Sequence, residues 1–197
     1  MNSTNDIIVE LTHTLSKKRQ EHCISTSQYA ILLAARYHHQ FLETHKEDII
    51  NASLFHDTCR EWNESALTHY ISIHCVKIEE EEIHFPILLH APVAATIMSE
   101  YEFLNKEYMK SAVRWHSLGS KEMGILGALL YCADFMEPKR VYLSDEKRTS
   151  LLTSASLEEL TLRVVSLHMK HMKENGKEVA TSTTDLYQFL MKNGTFR

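Results

Sequence analysis

The run His116–Arg140, HSLGSKEMGILGALLYCADFMEPKR, decides how the rest of the chain is read. Gly119 and Pro138 bracket a helix predicted over Lys121–Met136, because glycine closes the preceding segment and a proline ring cannot continue a helix. Near its end, Asp134 follows the apolar stretch Leu129-Leu130-Tyr131-Cys132-Ala133, and Glu137 falls on the same face three residues later. A carboxylate ending so apolar a run is costly to bury alone, so it calls for a cation.

The same shortage of breakers holds along the whole chain. Its 197 residues contain 5 glycines and 3 prolines, roughly 4% together against about 12% in ordinary proteins. That nearly excludes a turn-rich β-sandwich, and 44% hydrophobic residues argue against disorder. The predicted fold class is all-α: one helical domain over residues 1–197, with its motifs in 19–140 and a helical tail over 156–193. With 21 basic against 26 acidic side chains, no basic footprint for nucleic acid exists, since the only basic run is Lys17-Lys18-Arg19. No apolar run reaches the ~18 residues of a membrane span, and the polar start Met1–Asp6 is no signal peptide. Cys23, Cys59, Cys75 and Cys132 show no CxxC spacing and read as buried reduced thiols, which points to the cytoplasm.

Helical periodicity predicts eight or nine helices. Ile7, Ile8, Leu11 and Leu15 make a short amphipathic one, and Lys17–His39 a longer one with Ile24, Tyr29, Ile31, Leu32, Ala34 and Ala35 on its apolar face. Asp48–Glu61 continues helically, and Asn63 is placed to cap Glu64–Ser72. Glu79–Glu82, a run of four acids, reads as a solvated face rather than a metal site. Helices follow within Pro86–Tyr101 and over Asn105–His116. Asp145–Ser154 reads as a loop or short helix. Ser156 opens a helix to Glu174 that Asn175-Gly176 closes, and Thr184–Met191 is the last.

Several polar side chains sit at the edges of apolar runs. His56-Asp57 follows Ala52-Ser53-Leu54-Phe55; with 13 histidines in the chain, about 0.4 such pairs arise by chance, so the pair alone carries little. Arg19 and His22 share a helix face at i, i+3. His90 follows Ile87-Leu88-Leu89, and His116 closes the helix containing Ala112, Val113 and Trp115. Recurrence of that placement is the signal; histidine abundance is not.

Together these motifs resemble a known family. Arg19-x-x-His22, Leu54-Phe55-His56-Asp57-x-x-Arg60, Leu88-Leu89-His90, His116-x-x-Gly119 and Ala133-Asp134-x-x-Glu137-Pro138-x-Arg140 are similar to the HD-domain metal-dependent phosphohydrolases. More narrowly they resemble the YqeK-type branch, the symmetrical diadenosine tetraphosphate hydrolases. The resemblance implies a two-metal site, usually iron, with manganese or another first-row metal compatible with the same imidazole and carboxylate donors. His22, His56, Asp57 and Asp134 would hold one ion. Asp57, His90 and His116 would hold the other, with Asp57 bridging. It implies hydrolysis of a dinucleoside polyphosphate, a bridging hydroxide attacking phosphorus so that diadenosine tetraphosphate yields two ADP. Asp57, Arg60 and His90 would be catalytic, and Lys18, Arg19, Arg60, Gly119 and Arg140 would contact substrate. Glu137 would orient a ligand or Arg140 from behind.

Two departures bear on substrate preference. Arg60 stands where the family has lysine, exchanging a point donor for a rigid fork. Ser117-Leu118 replaces a pair of threonines and so removes a hydroxyl. Other readings compatible with the residues are a phosphohydrolase of a mononucleotide or guanosine alarmone, a metal- or nucleotide-binding regulator with little turnover, and a helical interaction protein. The apolar C-terminal helices can pack within the chain or across a homodimer.

Overall fold

The computed structural model describes Ile7, Val9 and residues 13–197, and its regular elements are all helical. Of the first amphipathic segment, Ile7 and Leu15 are buried, whereas Ile8 and Leu11 lie outside the described residues. The α-helices are α1 (Lys17–Tyr37), α2 (His39–Phe55), α3 (Glu64–His74), α4 (Glu80–His84), α5 (His90–Ile97), α6 (Glu107–Trp115), α7 (Gly124–Met136), α8 (Asp145–Leu151), α9 (Leu157–Glu174) and α10 (Thr181–Met191). Single 3₁₀ turns, Pro86–Leu89 and Met98–Glu100, flank α5. The all-α expectation is met.

Cap chemistry explains many of the boundaries. Ser16, Asn63, Ser144 and Ser156 each accept a hydrogen bond from a first-turn amide of the helix they open. Asp145–Ser154 thus becomes helix α8 plus a turn, and the last helix starts three residues earlier than expected. Two other expectations are corrected. The predicted Asp48–Glu61 helix ends at Phe55, and residues 56–62 are turns that swing Asp57 and Arg60 off the helix axis. On α1 the buried stripe is Cys23, Tyr29, Ala30, Leu33 and Ala34, leaving Ile24 and Leu32 half exposed.

The core is one cluster around α7, whose Leu126, Leu129, Leu130, Cys132, Ala133 and Met136 are almost wholly buried. Each fully buried leucine or methionine there contributes about 1.5–3 kcal/mol relative to exposure. α7 packs on α1, α2, α6 and α9, so Asp134 is delivered to the middle of the bundle. Gly119 fixes the entry to that helix. Its φ of 74° suits glycine, and a Cβ there would stand 2.8 Å from Leu186 Cδ2.

The acidic run Glu79–Glu82 is not simply a solvated face. Glu79 and Glu82 form a reciprocal capping box for α4, and Glu82, 1% exposed, takes both Arg114 Nη1 and Nη2 at 2.6 and 2.8 Å. Arg114 in turn stacks on Trp115, 4.3 Å from the ring centre. Cys23, Cys59 and Cys132 are buried free thiols as expected; Cys75 is exposed.

Candidate metal centre

Three of the histidines share one local construction. His56 and His116 are the residues just past α2 and α6, and His90 begins α5 after a 3₁₀ turn. In each, Nδ1 lies against the carbonyl three residues back: Ser53 at 2.6 Å, Ile87 at 2.5 Å and Val113 at 2.7 Å. Terminal helix carbonyls lack an intrahelical partner, so they are free to accept. A carbonyl only accepts, which places the ring proton on Nδ1 and leaves a lone pair on Nε2. His22, on α1, reaches the same state by a longer route: its Nδ1 is 3.1 Å from Oε1 of Glu137, which is 1% exposed. Glu137 is itself fixed by the Lys139 amide at 2.7 Å.

All four Nε2 atoms then point at two carboxylates. Asp57 divides its oxygens between them: Oδ2 lies 3.6 Å from both His22 and His56, and Oδ1 lies 3.2 Å from His90 and 3.6 Å from His116. Asp134 Oδ1 stands 2.9 Å from His22 and 3.7 Å from His56. His90 and His116 bring their Nε2 atoms within 3.1 Å of each other, two lone pairs facing across a short gap. His56 Nε2 is buried without a hydrogen-bond partner among the described residues. Ligand atoms of His22, His56 and Asp134, and of His56, Asp57 and His116, are close enough to share an ion in each set.

The electrostatics fit that donor set. Burial pushes Asp57 up, yet its surroundings hold the carboxyl well below the usual range. Asp134 is likewise raised by burial and still held well below that range, with the Arg140 guanidinium among the causes. Burial pulls His90 down, towards the neutral form that ligates metals. Lone pairs and carboxylates packed at these distances repel unless cations lie between them, and imidazole with carboxylate suits first-row metals.

Arginines surround the carboxylates. Arg19 Nη1 is 2.6 Å from Asp57 Oδ2, while Arg140 pairs with Asp134 and reaches His22 Nε2 at 3.2 Å. Arg148, whose role the sequence did not reveal, holds the segment carrying Arg140: it is buried and donates to the carbonyls of Met136, Glu137, Arg140 and Leu143.

Above the centre lies a cleft of about 520 Å³, within the usual range for a small-molecule site. Arg19, Asp57, Arg60, His90, His116, Asp134 and Arg140 all line it. Lys18 and Gly119 do not; Lys18 is exposed elsewhere on α1, and Gly119 is a turn position packed on Leu186 and Tyr131. Position 118 is also redirected. Leu118 is buried, and only Ser117 faces the cleft, its hydroxyl 3.1 Å from His116 Nε2 and 3.3 Å from His90 Nε2. The opposite wall was not legible beforehand: Tyr131, Phe135, Tyr142, Lys147, His168 and Lys170 belong to the cleft, although His168 and His171 read as surface or packing residues.

A helical bundle with this His–Asp cluster defines a class, and the chain belongs to the HD-domain family, whose pattern matches residues 19–140. Its relatives include proteins named symmetrical bis(5'-nucleosyl)-tetraphosphatase. The one from Bacillus subtilis is 26% identical over 90% of this chain and 91% of its own length. That of Halalkalibacterium halodurans is 29% identical over 68% of each chain. Among solved structures, a Clostridium acetobutylicum protein described as a predicted HD superfamily hydrolase involved in NAD metabolism superposes with a TM-score of 0.83. It is 20% identical, with 98% of this chain and 99% of the other covered, and it supports the fold. The protein is therefore an HD-domain hydrolase.

Proposed function

We propose that the protein hydrolyses diadenosine tetraphosphate, or a close dinucleoside polyphosphate, symmetrically to two nucleoside diphosphates, using two first-row metal ions, with iron as the first candidate. The observation that carries this reading is the division of Asp57, one oxygen facing His22 and His56 and the other facing His90 and His116. His22, His56, Asp57 and Asp134 would hold one ion and Asp57, His90 and His116 the other. When bound, such a pair lowers the pKa of water and withdraws charge from a phosphoryl group.

The chain's own residues do the rest. Arg60 lines the cleft and has no carboxylate within ion-pair distance among the described residues, so its guanidinium is available to a phosphate. Arg19 and Arg140 hold the carboxylates in place and lie within reach of the same anion. Glu137 fixes the His22 ring from behind. Water adds to one of the two central phosphorus atoms, the central P–O–P bridge breaks, and ADP leaves. The relatives' names and the soluble-type composition favour a cytoplasmic enzyme acting on a small nucleotide.

The test is product analysis on a panel of dinucleoside polyphosphates and mononucleotides with iron or manganese under reducing conditions. ADP as sole product from diadenosine tetraphosphate is expected. ATP plus AMP would overturn symmetrical cleavage, and a protein that binds no transition metal would overturn the centre itself.

A further inference from the structure

The metal centre occupies only the floor of the cleft, and the remainder has a composition of its own. α9 contributes Leu167, His168, Lys170, His171 and Glu174, positions i, i+1, i+3, i+4 and i+7, which is one helix face. At 1.5 Å per residue that face runs about 10 Å along the cleft. His168 is held by a hydrogen bond between its Nδ1 and the Tyr131 hydroxyl, 3.0 Å apart, with Tyr131 almost wholly buried. Facing α9, the segment after α7 supplies Tyr142, and α8 supplies Lys147. Tyr142 is pre-set: its hydroxyl donates to the Phe135 carbonyl at 3.1 Å and its ring packs edge-on against Phe135, yet 57% of the residue is exposed. Lys147 has no carboxylate within ion-pair distance among the described residues, and Lys170 has only Glu174, 3.7 Å away on its own helix.

A chain carrying net charge −5 has thus gathered five arginines and lysines around one cleft, two of them beyond the metal centre and in the same lining as the fixed Tyr142 ring. Anion and flat ring together describe a nucleotide, and the inner arginines already serve the phosphate at the metals. We propose that the outer half of the cleft binds the second nucleotide of the substrate, with Lys147 and Lys170 on its phosphates and Tyr142 as the platform for its base. The inference rests on the dinucleoside polyphosphate reading and deepens it. It makes this wall, outside the matched motifs, the element that distinguishes a dinucleotide from a mononucleotide. Exposed lysines hold phosphate through long flexible stems, and the tyrosine offers its ring at little entropic cost, so each contributes modestly and the set decides.

The test compares the wild type with Lys147→Ala/Lys170→Ala and with Tyr142→Ala, all three side chains being exposed enough to leave the core intact. Turnover of diadenosine tetraphosphate and of a nucleoside triphosphate is measured beside equilibrium binding of a non-hydrolysable dinucleoside tetraphosphate. The expected result is a rise in KM of about tenfold or more for the dinucleotide, little change in kcat, and no change with the triphosphate. Binding of the analogue should weaken equally, and metal content should stay at the wild-type level. Unaltered dinucleotide binding, or an equal loss for both nucleotides, would overturn the assignment. Should the wild type cleave no dinucleotide yet bind the analogue through these residues, the cleavage reading fails and the outer subsite stands.

Discussion

Among the described residues, two of the buried polar clusters in this bundle are finished differently. Glu82 and Arg114 close on each other: two charged hydrogen bonds join a carboxylate to a guanidinium, and the remaining face of the arginine is covered by Trp115. Both Glu82 oxygens are used, Oε2 also accepting from the Glu79 amide. Around Asp57 the accounting fails in one direction. Each of four imidazoles commits Nδ1 outward and presents Nε2 inward, against carboxylates and against one another. Both clusters are buried and charged, so burial of charge by itself marks neither as functional. What marks the second is a surplus of lone pairs with too few protons or cations to satisfy them.

The largest effect expected from that contrast is on chemistry. Asp57→Asn keeps the shape but supplies one oxygen where two are used, so hydrolysis should fall by about a thousandfold or more. Metal content per chain should fall with it, while circular dichroism of the metal-free protein stays helical. Unfolding of that variant would break the comparison, because the centre would then be structural like its counterpart.

Arg114→Ala is the converse. It strands a buried carboxylate and should cost about 3–5 kcal/mol, read by denaturant titration, with hydrolysis by the folded fraction retained. Its pH dependence is also defined. Burial holds Glu82 above its ordinary value of 4.5 and Arg114 opposes that shift. Without Arg114 the folded carboxyl rises further and binds its proton more tightly than the unfolded one. The variant's stability should therefore fall as pH rises from 4.5 through the raised folded value.

Smaller effects sharpen the contrast. Glu137→Gln leaves an acceptor behind His22 but removes its charge, so metal affinity should weaken about 10–100-fold in a titration, with stability changed far less. Cys75→Gly touches neither cluster. Cys75 ends α3 with a φ of 49°, and glycine there should add about 0.5 kcal/mol, a melting shift of one or two degrees without change in metal binding.

How much of this was legible follows from where each signal lives. The helix-end histidines could be read because their placement is local: an apolar run stops and a ring turns back to a carbonyl three residues earlier. His22 and Asp134 were legible from their spacing on helices α1 and α7. Glu82 was misread because four consecutive acids look solvated until Arg114 arrives from α6, 32 positions away. His168 was set aside for the same reason, since only folding brings α9 over Tyr131. Lys18 and Gly119 show the opposite case, being near the motifs in sequence and outside the cleft lining in space.

By itself the sequence determined the helical class and the HD-domain motifs, because helix periodicity, caps and breakers act within a few residues of each other. Tertiary structure alone decided which oxygen of Asp57 meets which histidine and that Glu137 backs His22. It also showed that Arg148 ties down the Arg140 segment and that α9 walls the cleft. Those relations depend on helix packing, where a rotation or shift of a few ångströms changes every partner, and no local pattern encodes them.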